Sequence, residues 1–515
     1  MSPLKKNLLI MTVLLAAIME LIDATIVNVA LSYMGGNLGA TIEDTSWIVT
    51  SYSIANVIII PMTSFLAAKL GRRNYYIGSI VLFTVCSVMC GLSTDIWELV
   101  FFRFVQGLGG GALLSVSQAV IFEQFPKEKQ ATAGAIFGIG VFLGPTVGPT
   151  LGGWIVEYLN WPWIFYVNVP VGILAIISCA ILLTEPVNKP VVTRIDWAGI
   201  SLLAIGIGTL QTVLERGETE DWFSTAYITW FTIISVLSLL AFVMWELKTP
   251  HPVVNLKVFQ SKTLSIAALL TFITGVGLYT SIFLVPIIAQ RLMGFTPLQT
   301  GLMLFPAAIL AVPVLVITGK IMQKGVKTVF IVAIGFISFI YFNWRLAHMT
   351  TDVSNGYFAF TMIFRSIGMA LLTVPLTTLA VSTLEQKDIP QGAALNNMMR
   401  QLGGSFGISI FDTYVTRRAA VHRTDLITHI AAGDPQVIER LNNMTTYFQS
   451  KGSTSFTAHN QAIGMLNAQV VQQTSILSYL DAYYLLGSLF IFAMPLLIFV
   501  KTKKTLSTGT VMSDH

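Results

Sequence analysis

The sequence predicts an all-α polytopic membrane protein with fourteen transmembrane helices. Its composition, the number of its apolar segments and the distribution of its basic residues lead to this prediction. The chain has 515 residues, of which 54% are hydrophobic and 11% are charged, and its mean hydropathy is +0.73. Soluble proteins carry about 25% charged residues, so this chain has too few to cover soluble domains. The low charge also excludes a disordered chain, and a net charge of +5 in so apolar a sequence does not indicate nucleic-acid binding.

Fourteen apolar segments are long enough to cross a bilayer, which takes about 20 residues. They begin near residues 8, 46, 74, 97, 131, 162, 196, 223, 264, 298, 327, 356, 394 and 478. The first follows Lys5 and Lys6 and continues beyond the length of a signal peptide. We therefore expect it to remain in the membrane as the first span.

The basic residues are concentrated on one side of these spans. Nineteen of the 30 Lys and Arg residues fall on the side of the N-terminus, and the short loops of the other side hold three, Arg216, Arg291 and Arg345. Short cytoplasmic loops carry an excess of Lys and Arg, so both termini are predicted to be cytoplasmic. Fourteen spans divide into an N-terminal six-helix bundle (1–185), two linking transmembrane helices (186–262) and a C-terminal six-helix bundle (263–515).

One long polar stretch, residues 419–477, precedes the last span on the predicted outer side, and we call it the extramembrane segment. It is rich in Gln, Asn and Thr, and its apolar residues Leu426, Ile430, Val437 and Leu441 recur at helical spacing. We therefore expect amphipathic helices in a periplasmic segment. Two roles remain open, a covered loop or a docking surface for a partner outside the membrane.

Two carboxylates stand inside the first span. Glu20 and Asp23 are three residues apart and therefore share one helix face. An ionisable group at membrane depth costs about 2.5–3.5 kcal/mol, so it indicates a functional site. Proton uptake and release is the functional interpretation, and a structural ion pair is the alternative.

An arginine in the fourth span lies at a depth similar to that of Asp23. Arg103 cannot release its own proton, but its charge can act on a neighbouring carboxylate. Gly109, Gly110 and Gly111 follow it on the same helix and permit close helix approach. We hypothesise that Asp23, together with Glu20, carries the proton and that Arg103 tunes it.

The fifth span has an unusual number of helix-breaking residues. They are Gly140, Gly144, Pro145, Gly148, Pro149, Gly152 and Gly153. Glycines four residues apart form one close-packing stripe, and two prolines bend a helix. The run predicts a helix that must pack tightly and change conformation.

Other polar residues inside the spans are candidates for lining a substrate cavity. They are Asn28, Gln106, Gln118, Arg365, Asn397 and Arg400. Each could contact substrate or simply hydrogen-bond helices together, and both readings remain open. Flexible Met and aromatic side chains suit varied apolar ligands, but the sequence does not indicate which of them face a cavity.

Residues typical of enzymes or metal centres are scattered. Cys86 and Cys90 lie four residues apart and could form a metal or redox pair, but small buried hydrophobic residues are the favoured reading. The six histidines are spread over loops and termini, and the sequence has no Gly-x-x-x-x-Gly-Lys-Ser/Thr loop. We therefore expect no metal, no catalytic residues and no ATP-driven pump.

Several segments together carry a family resemblance. They are Leu21–Leu31 in span one; Arg103, Gln106 and Gly107 in span four; Gly144–Gly153 in span five; Trp161–Gly172; Glu215–Gly217; Asp221–Phe223; and Trp245–Leu247. In these segments the sequence resembles the major facilitator superfamily, and within it the fourteen-span drug/proton antiporters of the EmrB/QacA type, the EmrB branch above all.

The resemblance implies a major facilitator fold and proton-coupled export of amphipathic or lipophilic toxic compounds by alternating access. It further implies protons as the coupling ion without a cofactor, a bacterial inner membrane, an EmrA-like periplasmic adaptor and an outer-membrane channel. A proton-coupled symporter, or an exporter of one specific metabolite, is the alternative on the same fold. From the sequence, the span-five run argues against a symporter.

The loop after span two corresponds to the cytoplasmic gate loop of the family. Its residues here are Lys69, Gly71, Arg72 and Arg73. Ser64, Ala68 and Lys69 replace the first Gly, the Asp and the Arg of the usual pattern. Without an acid at Ala68, another contact must close the cytoplasmic side.

Overall fold

The structure is a computed structural model. It describes residues 2–184, 196–250, 252–291, 293–350, 355–382, 384–385, 388–430 and 434–499. The predicted boundary at residues 185 and 186 lies outside the described residues. So do several residues of the predicted cytoplasmic side, namely Lys189, Arg194, Lys387, Lys501, Lys503 and Lys504.

The described part of the chain folds into α-helices joined by short turns. In chain order these are α1 (Pro3–Ile26), α2 (Leu31–Leu38), α3 (Ile42–Leu70), α4 (Arg72–Leu92), α5 (Ile96–Glu123), α6 (Gln130–Tyr158), α7 (Trp163–Tyr166), α8 (Asn168–Leu182), α9 (Trp197–Arg216), α10 (Ala226–Lys248), α11 (Lys262–Arg291), α12 (Pro297–Gln323), α13 (Thr328–Ala347), α14 (Asn355–Ser382), α15 (Ile389–Thr428), α16 (Pro435–Ser450) and α17 (Ser455–Ala493).

Thirteen helices of the described residues have the length and hydropathy of a membrane span. They coincide with all the predicted segments except the thirteenth. That segment is α15, which is more polar because its first half lies inside the bundle, packed against α3, α5 and α11. Its polar residues Asn396, Asn397 and Arg400 are buried against these helices, so a span of low hydropathy is tolerated at this position.

The two largest of the four hydrophobic cores in the described residues build the two halves of the bundle. One is formed chiefly by α1, α4, α5, α6 and α8, and the other by α11 to α15 and α17. They meet where α6 packs against α12 and α14, and where α15 packs against α3 and α5. Helices α9 and α10 pack on each other beside α3. The boundaries of the six, two and six division stay a prediction.

The extramembrane segment is helical, as its periodicity predicts. It comprises the end of α15, all of α16 and the start of α17. Helix α15 has 40 residues and is therefore about 60 Å long, twice the thickness of the hydrocarbon core of a bilayer. Its second half accordingly projects beyond the membrane. The last span is predicted to begin near residue 478, but its helix α17 already begins at Ser455, because the amphipathic stretch and the span form one continuous helix.

Candidate functional site

Asp23 is the centre of a buried polar cluster in the first core. Its carboxylate accepts hydrogen bonds from Arg103 Nη1 at 2.5 Å, Asn168 Nδ2 at 2.7 Å and Gln106 Nε2 at 3.1 Å. The side chains of Arg103 and Asp23 are 1% and 0% exposed. The ion pair therefore joins α1 to α5, and the hydrogen bond from Asn168 joins α1 to the start of α8.

Several groups surround the guanidinium group of Arg103. Besides Asp23, it donates to Gln106 Oε1 at 2.9 Å and to the carbonyl oxygen of Ile48, on α3, at 3.3 Å. The ring of Tyr52 lies 4.0 Å from its central carbon, at cation–π distance. Because Arg103 has partners other than Asp23, it can remain in place when the charge of Asp23 changes.

Polar side chains that the sequence interpretation missed complete this cluster. Asn168 and Gln106 both donate to Ser87 Oγ, at 3.0 and 3.3 Å, and Ser87 donates to the carbonyl oxygen of Phe165 at 2.8 Å. Asn168 lies within the Trp161–Gly172 segment and Ser87 within an apolar span. Asn168 and Ser87 could have been found from the sequence, because each is a polar residue at membrane depth.

Glu20 has a separate set of neighbours on α3. It accepts hydrogen bonds from Asn56 Nδ2 at 2.9 Å and Tyr52 Oη at 3.3 Å. Its second oxygen, Oε2, has no hydrogen-bond partner among the described residues, although Glu20 is 1% exposed. The two acids of span one are thus both buried, but Asp23 is ion-paired and Glu20 is held by neutral donors.

The glycine stripe of span five packs on the helix that carries both acids. A Cβ at Gly140 would lie 2.8 Å from Leu14 Cδ1, and one at Gly144 would lie 2.5 Å from Leu21 Cβ. The stripe continues along α1 with Gly148 and Gly152, whose added Cβ atoms would lie 3.1 and 2.8 Å from the carbonyl oxygens of Ile22 and Ile26. Gly153 is buried, and α6 continues through Pro145 and Pro149. Close approach between α6 and α1 therefore requires glycine.

The other side of α6 faces the second core and holds the two halves together at both ends. Near its start, a Cβ at Gly134 would lie 2.6 Å from Thr378 Oγ1, and one at Gly319 would lie 2.9 Å from the carbonyl oxygen of Ala131. Near its end, a Cβ at Gly301 would lie 2.5 Å from Thr150 Oγ1. In this conformation the halves are closed along α6 and α12.

The predicted cavity residues do not form one group. Gln106 belongs to the Asp23 cluster, and Arg365 reaches Ser281 Oγ at 3.3 Å inside the second core. Asn28 is exposed in the turn that follows α1.

The other three candidates lie where the halves meet. Arg400 donates to Asn397, and Asn397 Nδ2 lies 3.4 Å from Ser115 Oγ on α5. Gln118, also on α5, is fully buried, and neither of its polar atoms has a hydrogen-bond partner among the described residues. This position suits contacts with a substrate held between the halves.

Two arginines of the gate loop contact other helices of the first half. Gly71 has a φ of +85°, which favours glycine. Arg72 forms an ion pair with Glu123, and Arg73 donates to the carbonyl oxygen of Ala180 at 2.6 Å. Lys69 lies in the last turn of α3.

Helices α6 and α12 provide contacts between the halves at this end. Gln323, at the end of α12, donates to Thr132, near the start of α6. Together with the close approach of Gly319 to Ala131, this contact closes the predicted cytoplasmic side.

No group of three or more His, Cys, Asp or Glu side chains among the described residues is placed to hold a metal ion. Cys86, Cys90 and Cys179 are buried free thiols.

A match to the family model described as Major Facilitator Superfamily covers residues 13–408. The chain belongs to the major facilitator superfamily. Two solved members share its fold at 13% sequence identity. The proton:xylose symporter XylE has a TM-score of 0.61 with 97% of each chain covered, and the human organic anion transporter MFSD10 has a TM-score of 0.60 with 96% and 100% covered.

Curated relatives within the superfamily are similar over nearly the whole chain. The multidrug export protein EmrB of Escherichia coli K12 is 32% identical over 96% of both chains. The fatty acid resistance protein FarB of Neisseria gonorrhoeae is 31% identical over 95% of this chain and 94% of its own. With these bacterial relatives and its many apolar helices, the chain is a multi-pass inner-membrane protein.

Proposed function

We propose that this protein is a proton-coupled multidrug exporter that exchanges protons for amphipathic or lipophilic toxic compounds by alternating access. The observation that carries the proposal is the fully buried Asp23–Arg103 ion pair on helices α1 and α5. The similarity to EmrB and to FarB, whose names state multidrug export and fatty acid resistance, supports export of toxic compounds. We propose transport and not catalysis, with protons as the coupling ion and no cofactor.

In this mechanism, the charge of Asp23 controls how α1 is held. The carboxylate can accept hydrogen bonds from Arg103, Asn168 and Gln106 at the same time. A proton on Asp23 removes the charge that binds Arg103, and the guanidinium group keeps Ile48 and Gln106 as partners. Protonation therefore loosens α1 from α5 and α8.

The glycine stripe of α6 transmits this change to the interface between the halves. One side of α6 contacts α1 through Gly140 and Gly144, and the other contacts the second half through Gly134. A helix in close contact on both sides cannot let one neighbour move without shifting against the other. Glu20, one turn from Asp23, is the second candidate for carrying a proton.

The proton gradient supplies enough energy for this exchange. Each charge that moves inward yields about 2.3 kcal/mol per 100 mV. One proton could therefore support roughly a fortyfold substrate gradient, since about 1.4 kcal/mol corresponds to a factor of ten.

A proton-coupled symporter, or an exporter of one specific metabolite, is the second candidate function. The fold permits it, because the solved symporter XylE shares the architecture. At a sequence identity of 13%, the similarity to XylE shows a shared fold alone. The span-five glycines that contact α1, and the similarity to named exporters, favour export.

We further propose that the extramembrane segment binds an EmrA-like periplasmic adaptor, which would connect the exporter to an outer-membrane channel. The segment projects as a helical pair, α16 against α17, beyond the predicted span. This orientation follows from the predicted cytoplasmic location of both termini.

Efflux of preloaded ethidium tests the proposed function. The protein and its Asp23→Asn variant would be expressed in bacteria that lack their own pumps, with and without an uncoupler. We expect efflux that the uncoupler abolishes and that Asp23→Asn removes. Uncoupler-sensitive efflux that persists in a well-folded Asp23→Asn protein would contradict Asp23 as the carrier, and proton-driven uptake of a substrate would favour the symporter.

A further inference from the structure

The interiors of the two halves carry opposite charges. The first half holds Glu20, Asp23 and Arg103 at membrane depth, a net negative set. In the second, the buried charges are Arg365 and Arg400, which are 2% and 4% exposed. Outside the extramembrane segment, two carboxylates lie on its described helices, Asp412 on α15 and Asp481 on α17; both are partly exposed, and Asp481 pairs with Arg418 and His422. Among the described residues, the second half therefore presents buried positive charge without a buried carboxylate.

Arg400 has most of its hydrogen-bonding capacity unused. Its recorded side-chain hydrogen bond goes to Asn397, and its Nε has no hydrogen-bond partner among the described residues. No carboxylate oxygen of the described residues lies within ion-pair distance of it. Glu20 acts on Arg400 only through the longer-range field between the halves. A buried guanidinium group in this condition is unfavourable unless an anion pairs with it.

Arg400 also lines a small cavity between the halves. Its walls include Thr271, Thr274, Thr373 and Thr377, with apolar surface from residues such as Val141 and Met369. Val141 belongs to α6 of the first half, and the other named residues belong to α11, α14 and α15. The cavity volume is about 20 Å³, room for roughly one water molecule, so a larger ligand enters only when the halves part.

The threonine hydroxyls of this cavity already donate to protein acceptors. Thr271 donates to Asn396 Oδ1 at 2.8 Å, and Thr274 donates to the carbonyl oxygen of Thr271 at 2.9 Å. Thr373 and Thr377 donate to carbonyl oxygens of their own helix at 2.8 and 2.7 Å. Arg400 is therefore the strong hydrogen-bond donor that this lining offers to a ligand.

From this geometry we infer that Arg400 binds the acid group of the substrate, so that the transported compounds include amphipathic carboxylates whose apolar body lies against Val141 and Met369. A guanidinium group binds a carboxylate with two parallel hydrogen bonds, which an ammonium group cannot reproduce. The inference rests on the proposed function only in taking the space between the halves as the substrate path.

Binding of a matched pair of fluorescent probes to the purified full-length protein tests this inference. The probes are 11-(dansylamino)undecanoic acid and its methyl ester, which share the apolar body and differ in the charge. The variants are Arg400→Gln, Arg400→Lys and, as a control for the loss of one positive charge, Arg423→Gln in the extramembrane segment. Thermal unfolding of each variant reports whether the protein is folded.

We expect the wild type to bind the acid more tightly than the ester. Arg400→Gln should weaken binding of the acid by about tenfold or more, as expected for loss of a charge-assisted pair, and leave the ester unchanged. Arg400→Lys should bind the acid with an affinity between those of the wild type and Arg400→Gln. Arg423→Gln should bind both probes as the wild type does. Equal binding of acid and ester by the wild type, or unchanged binding of the acid by folded Arg400→Gln, would overturn the inference. Absence of all efflux from the wild type would instead reject the proposed function, because probe binding is measured separately.

Discussion

Arg365 reaches Ser281 across the second half of the molecule as Arg103 reaches Asp23 across the first, but a hydroxyl stands where the first half has a carboxylate. Arg103 lies on the fourth membrane helix of the chain and Arg365 on the fourth of the last six. Their partners lie 20 and 19 residues after the starts of α1 and α11. The two distances are 2.5 and 3.3 Å. The second half thus keeps the arginine of the ion pair and lacks its acid.

Replacing Ser281 by Asp should supply the missing partner of Arg365. We expect the Ser281→Asp protein to be more stable than Ser281→Asn by about 1–3 kcal/mol, the coupling found for contacting residues. The measurement is the unfolding midpoint in detergent. Adding Arg365→Gln should abolish the difference between the Asp and Asn proteins, and an equal difference in that background would show that the two residues do not pair.

Asp23→Asn should remove proton-coupled efflux and also reduce stability. The change leaves Arg103 buried without a counter-charge, and breaking one side of a buried ion pair costs about 3–5 kcal/mol. Uncoupler-sensitive ethidium efflux and the unfolding midpoint would be measured on the same preparation. Asp23→Glu keeps the charge and serves as the control, and we expect it to retain more stability than Asp23→Asn.

Gly144→Ala should impair transport by separating α6 from α1. The new Cβ would lie 2.5 Å from Leu21 Cβ, and overpacking of this kind costs about 1–3 kcal/mol. Gly78→Ala on α4 is the matched control, because a Cβ there has no atom within 4 Å. Efflux rate normalised to folded protein is the measurement, and equal rates in the two variants would show that the close approach is not needed.

Arg216→Ala should loosen the linking helix α9 from the first half. Arg216 donates to Ser46 and pairs with Glu220 at 2.9 Å, and the ring of Trp47 lies 5.1 Å from its central carbon. Truncation of Arg216 should lower stability by about 1.5–3 kcal/mol, the contribution of hydrogen bonds to a charged group, because Glu220 is partly exposed.

Arg440→Ala is the control for Arg216→Ala. It removes an arginine of the extramembrane segment whose recorded hydrogen bond goes to Gln469, and we expect it to stay near wild type. Thermal unfolding of the two variants side by side would decide the question. A midpoint for Arg216→Ala no lower than that of Arg440→Ala would contradict this account of α9.

Most of the fold could be predicted from the sequence, because a bilayer imposes a length and an apolar composition on each span. Length and apolar composition are properties of each segment by itself, and thirteen helices of the described residues have both. The exception is α15, whose polar residues are covered by other helices. The intramembrane acids and Arg103 could likewise be found, since a charge inside an apolar run stands out.

The sequence by itself therefore determined the membrane class, the spans and the presence of charge at membrane depth. Only the tertiary structure decided which charges meet. Asp23 and Glu20 share one helix face, yet Asp23 lies against α5 and α8, and Glu20 lies against α3. Arg103 has a carboxylate partner and Arg400 lines a small cavity between the halves, a difference that no local pattern contains. Burial and pairing depend on which helices pack together, and residues far apart in the chain set that packing.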